Sequence, residues 1–360
     1  MPKIVLFGAT GYTGRLTAKA LTARGADPML AGRDATALAK LAADLGGART
    51  AVAEVSDPAS VRALLDRGDV LVTTVGPFLK FGEPALEAAL AAGAHYFDST
   101  GEGPFIRKVF EQDARARAAK SALLTAFGFD YVPGNLAGGL ALNEAPEAVR
   151  ADIGYFMSAP GTSGGTRASM IGMLFERGFA LRGGRVVEER TGAHTHTFDI
   201  GGRPHTGVTV PGSEHFALTR AYPRLREVDV YLGVPVAAAA RGMQVTTVLT
   251  DALARITPVK DLAQSALSRV VKGSTGGPAP ESLARTRSWA VAETSDANGR
   301  VLATATLAGA DPYTFTAEIL AWGAHTALDG GLRGTGALGP VDAFGLDALT
   351  AAAESAGFHR

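Results

Sequence analysis

Short apolar runs alternate with amphipathic stretches through the first 130 residues. Runs at 4–7, 28–31, 50–53, 70–75, 95–98 and 122–127 have the length and apolar continuity of buried strands. Between them, apolar residues recur at helical spacing over about 12–24, 35–45, 59–65, 83–92 and 104–119. Strand and helix in alternation, joined by short links, predict a doubly wound parallel sheet of the α/β class. Six strands suggest the order 3-2-1-4-5-6, with a ligand lying across the switch point beside the first strand.

After Asp130 the rhythm changes. A Pro-Gly pair and a run of small residues predict a helix near 131–143. Strand-like pieces then dominate at 151–156, 186–190, 194–200, 207–210 and 228–233, interrupted by a helix at about 167–179. Helices are expected at 237–254 and 259–271, a flexible break at 273–280, and further strands at 287–293, 301–308 and 314–320. The pattern predicts an α+β second domain on a mostly antiparallel sheet. A glycine-rich stretch, 330–339, leads to a final helix at 341–357 that would return to the first domain. The expected division is 1–131, 132–329 and 330–360.

Apolar residues make up 46% of the 360, enough for sizeable cores. Lysine plus arginine equals aspartate plus glutamate, 35 each, so no bulk positive field points to nucleic acid or an anionic membrane. The absence of cysteine excludes disulfides, thiolate nucleophiles and cysteine metal sites, and fits a cytoplasmic protein. No signal-peptide pattern opens the chain and no uncharged run reaches about 18 residues, so neither a secretory signal nor a transmembrane helix is expected. His194 and His196 would share a strand face, with His205 nearby, but lack a third ligand at metal spacing; no metal is expected.

The first strand runs straight into Gly8-Ala9-Thr10-Gly11-Tyr12-Thr13-Gly14, and a helical pattern follows. This is the geometry of a phosphate cradle. Gly8 permits the turn, Gly11 lets backbone approach a pyrophosphate, and Gly14 lets helix pack on strand. The helix N-terminus offers N–H groups and partial positive charge to the anion. Gly8, Thr10, Gly11, Tyr12, Thr13 and Gly14 are therefore candidate contacts for a dinucleotide in a Rossmann domain. The second strand ends in Ala31-Gly32-Arg33. Gly32 stands where a ribose-binding carboxylate would project, and Arg33 can pair with a 2′-phosphate through its planar fork, which favours NADP(H) over NAD(H). Asp34 and Asp57 read as helix N-caps. Val55, after the third strand, is placed to pack on the adenine. Gly76 and Pro77, after the fourth, fall next to the expected nicotinamide ribose.

Hydride transfer also needs a proton donor or a group that polarises the acceptor. Polar residues past the strand ends are Lys80, Asp98 with Thr100 and Glu102, and Asp130 with Tyr131. Tyr131 is the first candidate, as proton donor or carbonyl ligand; it could equally serve as packing. Lys80 could hold a carboxylate or phosphate, or be a solvated loop lysine. Asp98 ends a strand and is expected to brace its loop.

The glycine loop, Ala31-Gly32-Arg33, Val75-Gly76-Pro77-Phe78, Tyr96-Phe97-Asp98-Ser99-Thr100-Gly101-Glu102 and Gly128-Phe129-Asp130-Tyr131-Val132-Pro133-Gly134 together resemble saccharopine dehydrogenase-like oxidoreductases. Within that group the chain most resembles the trans-acting enoyl reductase branch of mycobacterial lipid synthesis, to which Gly336-Ala337-Leu338-Gly339-Pro340 and Ala343-Phe344-Gly345 add. The resemblance is dense over 1–140 and thin over 150–325. It implies a Rossmann domain, a second α+β domain and NADP(H)-dependent reduction. The bond reduced would be C=C, C=N or C=O, in a small or lipid-like substrate. An acyl-carrier or synthase partner and a homodimer are further expectations. Two alternatives stay open: a saccharopine-type amino-acid dehydrogenase, which would need clustered arginines near the site, a cluster the sequence does not locate although Arg167, Arg177 and Arg182 lie in the second domain, and a non-catalytic nucleotide sensor. The cofactor assignment has a direct check. Arg33→Ala should weaken NADPH binding far more than NADH binding in parallel titrations, and equal losses would remove it.

Overall fold

The computed structural model describes residues 1–158, 177–233, 276–278 and 280–360. They divide into two units. One comprises Met1–Gly101, Phe105–Val132 and Pro312–Ala356; the other comprises Glu102–Pro104, Pro133–Asp311 and Gly357–Arg360.

In the first unit six strands appear where the apolar runs predict them: β1 (Ile4–Phe7), β2 (Met29–Gly32), β3 (Thr50–Val52), β4 (Val70–Thr73), β5 (His95–Asp98) and β6 (Ala122–Leu124). A two-residue strand, Gly336–Ala337, adds beyond β6, giving the parallel order 336–337, β6, β5, β4, β1, β2, β3. The 3-2-1-4-5-6 order therefore holds, with one more strand at the edge. Phe7 stands opposite Ala31 and Thr73, and Thr73 opposite Asp98. The central strands thus end level, and their loops emerge along one edge. The connecting helices are α1 (Tyr12–Ala23), α2 (Ala35–Asp44), α3 (Pro58–Arg62), α4 (Phe78–Phe81), α5 (Glu83–Ala92), α6 (Gly103–Phe110) and α7 (Asp113–Ala119). The single helix expected over 104–119 is two, interrupted at Glu111 and Gln112.

The stretch 314–320 reads as a strand and is instead part of a 17-residue helix, Pro312–Leu328. Thr314, Phe315, Thr316 and Ile319 have strand propensity, but tertiary burial decides. Phe315, Ile319, Leu320, Gly323, Ala324 and Ala327 recur at helical spacing and are buried. Pro312 opens the helix, where its missing N–H costs nothing. Gly323 lets the helix close on the sheet, because a Cβ there would lie 2.6 Å from Phe127 and 3.0 Å from Phe97. Those two rings meet edge to face at 5.2 Å. The same helix runs along α1, with Arg24 paired to Glu318 at 3.0 Å and Tyr12 edge-on to Tyr313. It lies in the first unit, whereas the sequence pattern places it in the second. The final helix also differs. Gly345, at φ +82°, divides it into Pro340–Phe344 and Leu346–Ser355.

The second unit holds a mixed sheet built from β7 (Arg150–Met157), β8 (Gly178–Arg182), β9 (Arg185–Glu189), β10 (Thr195–Ile200), β11 (Arg203–Thr209), β12 (Glu227–Gly233), β13 (Ser288–Ser295) and β14 (Val301–Gly309). The order is β10, β11, β12, β7, β13, β14 and then Phe358–His359, with β8 beside β12 and β9. Among the described strands of this sheet β12 and β7 alone pair in parallel; it is otherwise antiparallel, as the pattern predicts. Helices α8 (Val132–Glu144) and α9 (Glu214–Ala221) accompany it, and the pattern does not announce α9. The helix expected at 167–179 runs into β8, so 178 and 179 are strand; 167–176, the helices at 237–254 and 259–271 and the break at 273–275 lie outside the described residues.

Ile153 lies on the sheet face toward α8 and α9, where a Cβ on Gly138 would meet Leu218 and Ile153. The opposite face carries a charge network. Arg150 binds Asp152, Glu227 and Asp229, and Arg182 binds Asp229 and Glu189. His196 pairs with Glu293 at 2.9 Å, and that hydrogen bond raises its pKa.

Gly323→Ala should lower first-unit stability by about 1–3 kcal/mol through overpacking against Phe127 and Phe97. Urea denaturation followed by near-ultraviolet circular dichroism measures this, and an unchanged midpoint would contradict it.

Candidate nucleotide site

Four loops leave the level strand ends. After β1 the chain turns at Gly8, whose φ of +88° suits glycine. Its N–H donates to Ala31 O at 2.9 Å, and a Cβ on it would lie 2.8 Å from Thr74 Oγ1. Gly14 is buried in the first turn of α1, where a Cβ would strike Gly8 O and sit 2.9 Å from Ala9 Cα. Gly11 is the exposed N-cap, with no capping side chain and no acid in the first turn. The positive end of the helix is therefore not neutralised by the chain itself. Thr10, Tyr12 and Thr13 are half-buried.

Arg33 is exposed at the end of β2. Asp34 is committed elsewhere, accepting from Ala37 N at 2.9 Å as the N-cap of α2. A Cβ on Gly32 would make only ordinary contacts, 3.9 Å from Leu38 and Thr10. Sterics do not demand glycine there; its lack of a side chain keeps a carboxylate out of that position. Val55 is half-buried beyond β3, and Asp57 caps α3 through Ala59 N and Ser60 N. Beyond β4, Gly76 is exposed and joined to half-buried Pro77 by a cis peptide bond. Phe78 is buried against Phe105 and Phe129 is also buried, so Leu79 and Phe81 are the accessible apolar side chains here. Lys80 is exposed, its ammonium 5.0 Å from the Phe81 ring centre.

Between β5 and β6 a buried carboxylate organises two loops. Asp98 Oδ1 accepts from Thr100 N at 2.9 Å and Ala126 N at 2.8 Å, while Asp98 O accepts from Phe127 N at 2.7 Å. Ala126, at φ +56°, takes a left-handed conformation that costs a non-glycine residue energy. The bond from its N–H to Asp98 offsets that cost. Ala126 O in turn accepts from Tyr131 N at 2.7 Å. Tyr131 is buried, its hydroxyl 3.5 Å from Gly101 O, and a Cβ on Gly101 would lie 3.2 Å from Asp130 Oδ2. The Asp130–Tyr131 peptide is cis. Burial pushes the Asp98 carboxyl up to about 6 despite its two N–H donors, and packed surroundings push Asp130 to about 6 as well.

Gly101, Asp130 and Tyr131 are thus brought together; no hydrogen bond or ion pair joins Lys80 to Tyr131. Sequence reading anticipates the caps and the bracing role of Asp98. It does not find the Ala126 conformation or the packing of Tyr12 on Tyr313, since neither leaves a local signal.

A glycine-cradled helix N-terminus at the switch point of a parallel sheet, with a carboxylate-free second strand ending in arginine, defines a Rossmann dinucleotide-binding domain suited to a phosphorylated nucleotide. Residues 4–125 match the family model of the saccharopine dehydrogenase NADP binding domain, which supports NADP(H) as the nucleotide of this segment. A Mycobacterium tuberculosis protein under a trans-acting enoyl reductase name is 37% identical over 189 residues, covering 48% of this chain and 44% of its own length. The trans-acting enoyl reductase of Mycobacterium leprae is 39% identical over 140 residues, covering 37% of this chain and 34% of its own. The chain therefore spans less than half the length of these relatives. The solved apo saccharopine dehydrogenase (L-Glu forming) of Saccharomyces cerevisiae shares the fold, with a TM-score of 0.59 at 14% identity over 99% of this chain and 97% of that one.

The raised Asp98 pKa has a definite sign. Between its unfolded value of about 4 and its folded value of about 6 the native state binds the extra proton, so its contribution to stability is full below about pH 4 and is lost as pH rises through about 6. Asp98→Asn keeps an acceptor for both N–H groups and removes the titration. Its unfolding temperature relative to the parent should climb from pH 4 to pH 7; parallel curves would refute this.

Proposed function

We propose that the chain is an NADPH-dependent reductase acting on the C=C bond of an enoyl thioester or a related lipid-like acceptor. The observation that carries this is the NADP-type nucleotide edge, Gly8 to Gly14 with Gly32-Arg33, in a domain whose relatives bear enoyl reductase names. The bound nucleotide supplies the hydride. Gly8, Gly11 and Gly14 leave room for the pyrophosphate at the α1 N-terminus. Arg33 holds the 2′-phosphate, Val55 packs on the adenine, and Gly76 and Pro77 border the nicotinamide ribose. Tyr131, held by the Asp98–Ala126 brace, donates a hydrogen bond to the acceptor carbonyl oxygen or the proton that completes the reduction after hydride addition. Lys80 serves as an anchor for an anionic handle on the substrate, such as the phosphate of a carrier arm.

An amino-acid substrate with several carboxylates is less well served. Arg177 is paired with Glu188, and Arg182 with Asp229 and Glu189, so their charges are already matched; Arg167 lies outside the described residues. The regulatory alternative predicts nucleotide binding without turnover.

NADPH oxidation with enoyl thioesters, imines and ketones separates these readings. Enoyl thioesters should be reduced, and Tyr131→Phe should lower kcat by about 10²–10⁴ with NADPH affinity kept. Full activity in the variant would remove the Tyr131 role. Binding without oxidation of any acceptor would favour the sensor.

A further inference from the structure

We propose that Arg15 supplies a second guanidinium to the 2′-phosphate of NADP(H), closing on it from the glycine loop while Arg33 closes from β2. This rests on the reading that Arg33 faces that phosphate. Arg15 follows Gly14 in α1 and is exposed. Its Nε donates to Thr10 O at 2.9 Å, which folds the side chain back over the loop instead of out along the helix. That bond occupies Nε and leaves the two terminal amines for a ligand.

Thr10 is also where the loop meets β2, its Oγ1 being 3.9 Å from the position a Gly32 Cβ would take. The tether of Arg15 and the vacant side-chain position before Arg33 therefore adjoin. Among the described residues neither Arg15 nor Arg33 forms an ion pair with a carboxylate. Arg24, just past the other end of α1, shows the contrast, being paired with Glu318. Two unmatched guanidiniums flanking one carboxylate-free position suit a dianion. A phosphomonoester carries about −1.5 to −2 charge near neutral pH, more than one arginine balances, and the adjacent Asp34 adds further negative charge. NADH has only a hydroxyl at that place and would gain nothing from Arg15.

The test is equilibrium titration of the full chain with NADPH, NADH and 2′-phospho-AMP, comparing the parent with Arg15→Gln and Arg33→Ala. The exposure of Arg15 keeps folding out of the comparison. Arg15→Gln should raise the Kd for NADPH and for 2′-phospho-AMP about tenfold, the loss expected of one charge-assisted contact, and leave the Kd for NADH within about twofold. If Arg15→Gln weakens NADPH and NADH alike, or changes neither, while Arg33→Ala still removes the preference, this inference fails and the Arg33 reading stands. If the parent chain itself holds NADPH no tighter than NADH, both fall.

Discussion

The nucleotide edge depends on how closely α1 can approach the end of β1. Gly14 sits directly on the Gly8 carbonyl, so any side chain there would lift the helix away from the strand. The same approach carries the N–H groups of the first turn to the sheet edge and, through Gly8 N–H and Ala31 O, ties that turn to β2. It sets the other side of α1 as well, where Arg24 and Tyr12 meet Glu318 and Tyr313. One backbone contact therefore fixes both the anion-binding end of the helix and its seat against the Pro312–Leu328 helix.

A second constraint acts at the opposite side of the switch point. Asp98 holds two loops from two strands with one carboxylate oxygen, and the chain from Ala126 to Tyr131 hangs on that arrangement. The carboxylate is buried and costly to ionise, yet it supports a left-handed alanine and the placement of a tyrosine. Two backbone N–H groups, rather than an arginine partner, hold its Oδ1, while Oδ2 is buried without a hydrogen bond among the described residues.

Most of the first unit is legible in the sequence because parallel strands are buried on both faces and read as unbroken apolar runs. The caps are legible too: Asp34 and Asp57 act within a few residues of themselves. The Pro312–Leu328 helix is misread because its opening turns carry threonine, phenylalanine and isoleucine, and only the longer period reveals the buried stripe. Helix α9 is too short to show a period, and Gly345 breaks a helix at a point where composition alone does not announce it. At the candidate site the glycines and Arg33 sit in short local motifs and can be found by pattern. The surroundings of Tyr131 depend on partners far along the chain, as when Phe129 N donates to Thr316 Oγ1 at 2.9 Å, and no local pattern encodes them.

The first unit is discontinuous in sequence. Residues 133–311 separate Val132 from Pro312, and after Ala356 the chain crosses once more to lay Phe358–His359 beside β14. The nucleotide-binding module is therefore split by a long insertion rather than set in front of a second module. Cutting the gene after the sixth strand would give a protein lacking the helix that covers Phe97 and Phe127, and an open aromatic face invites self-association. A shuffled or minimised version needs both segments in one chain, or two co-expressed halves that find each other. The inserted stretch can be exchanged for another only if both flanking segments of the nucleotide-binding module are kept.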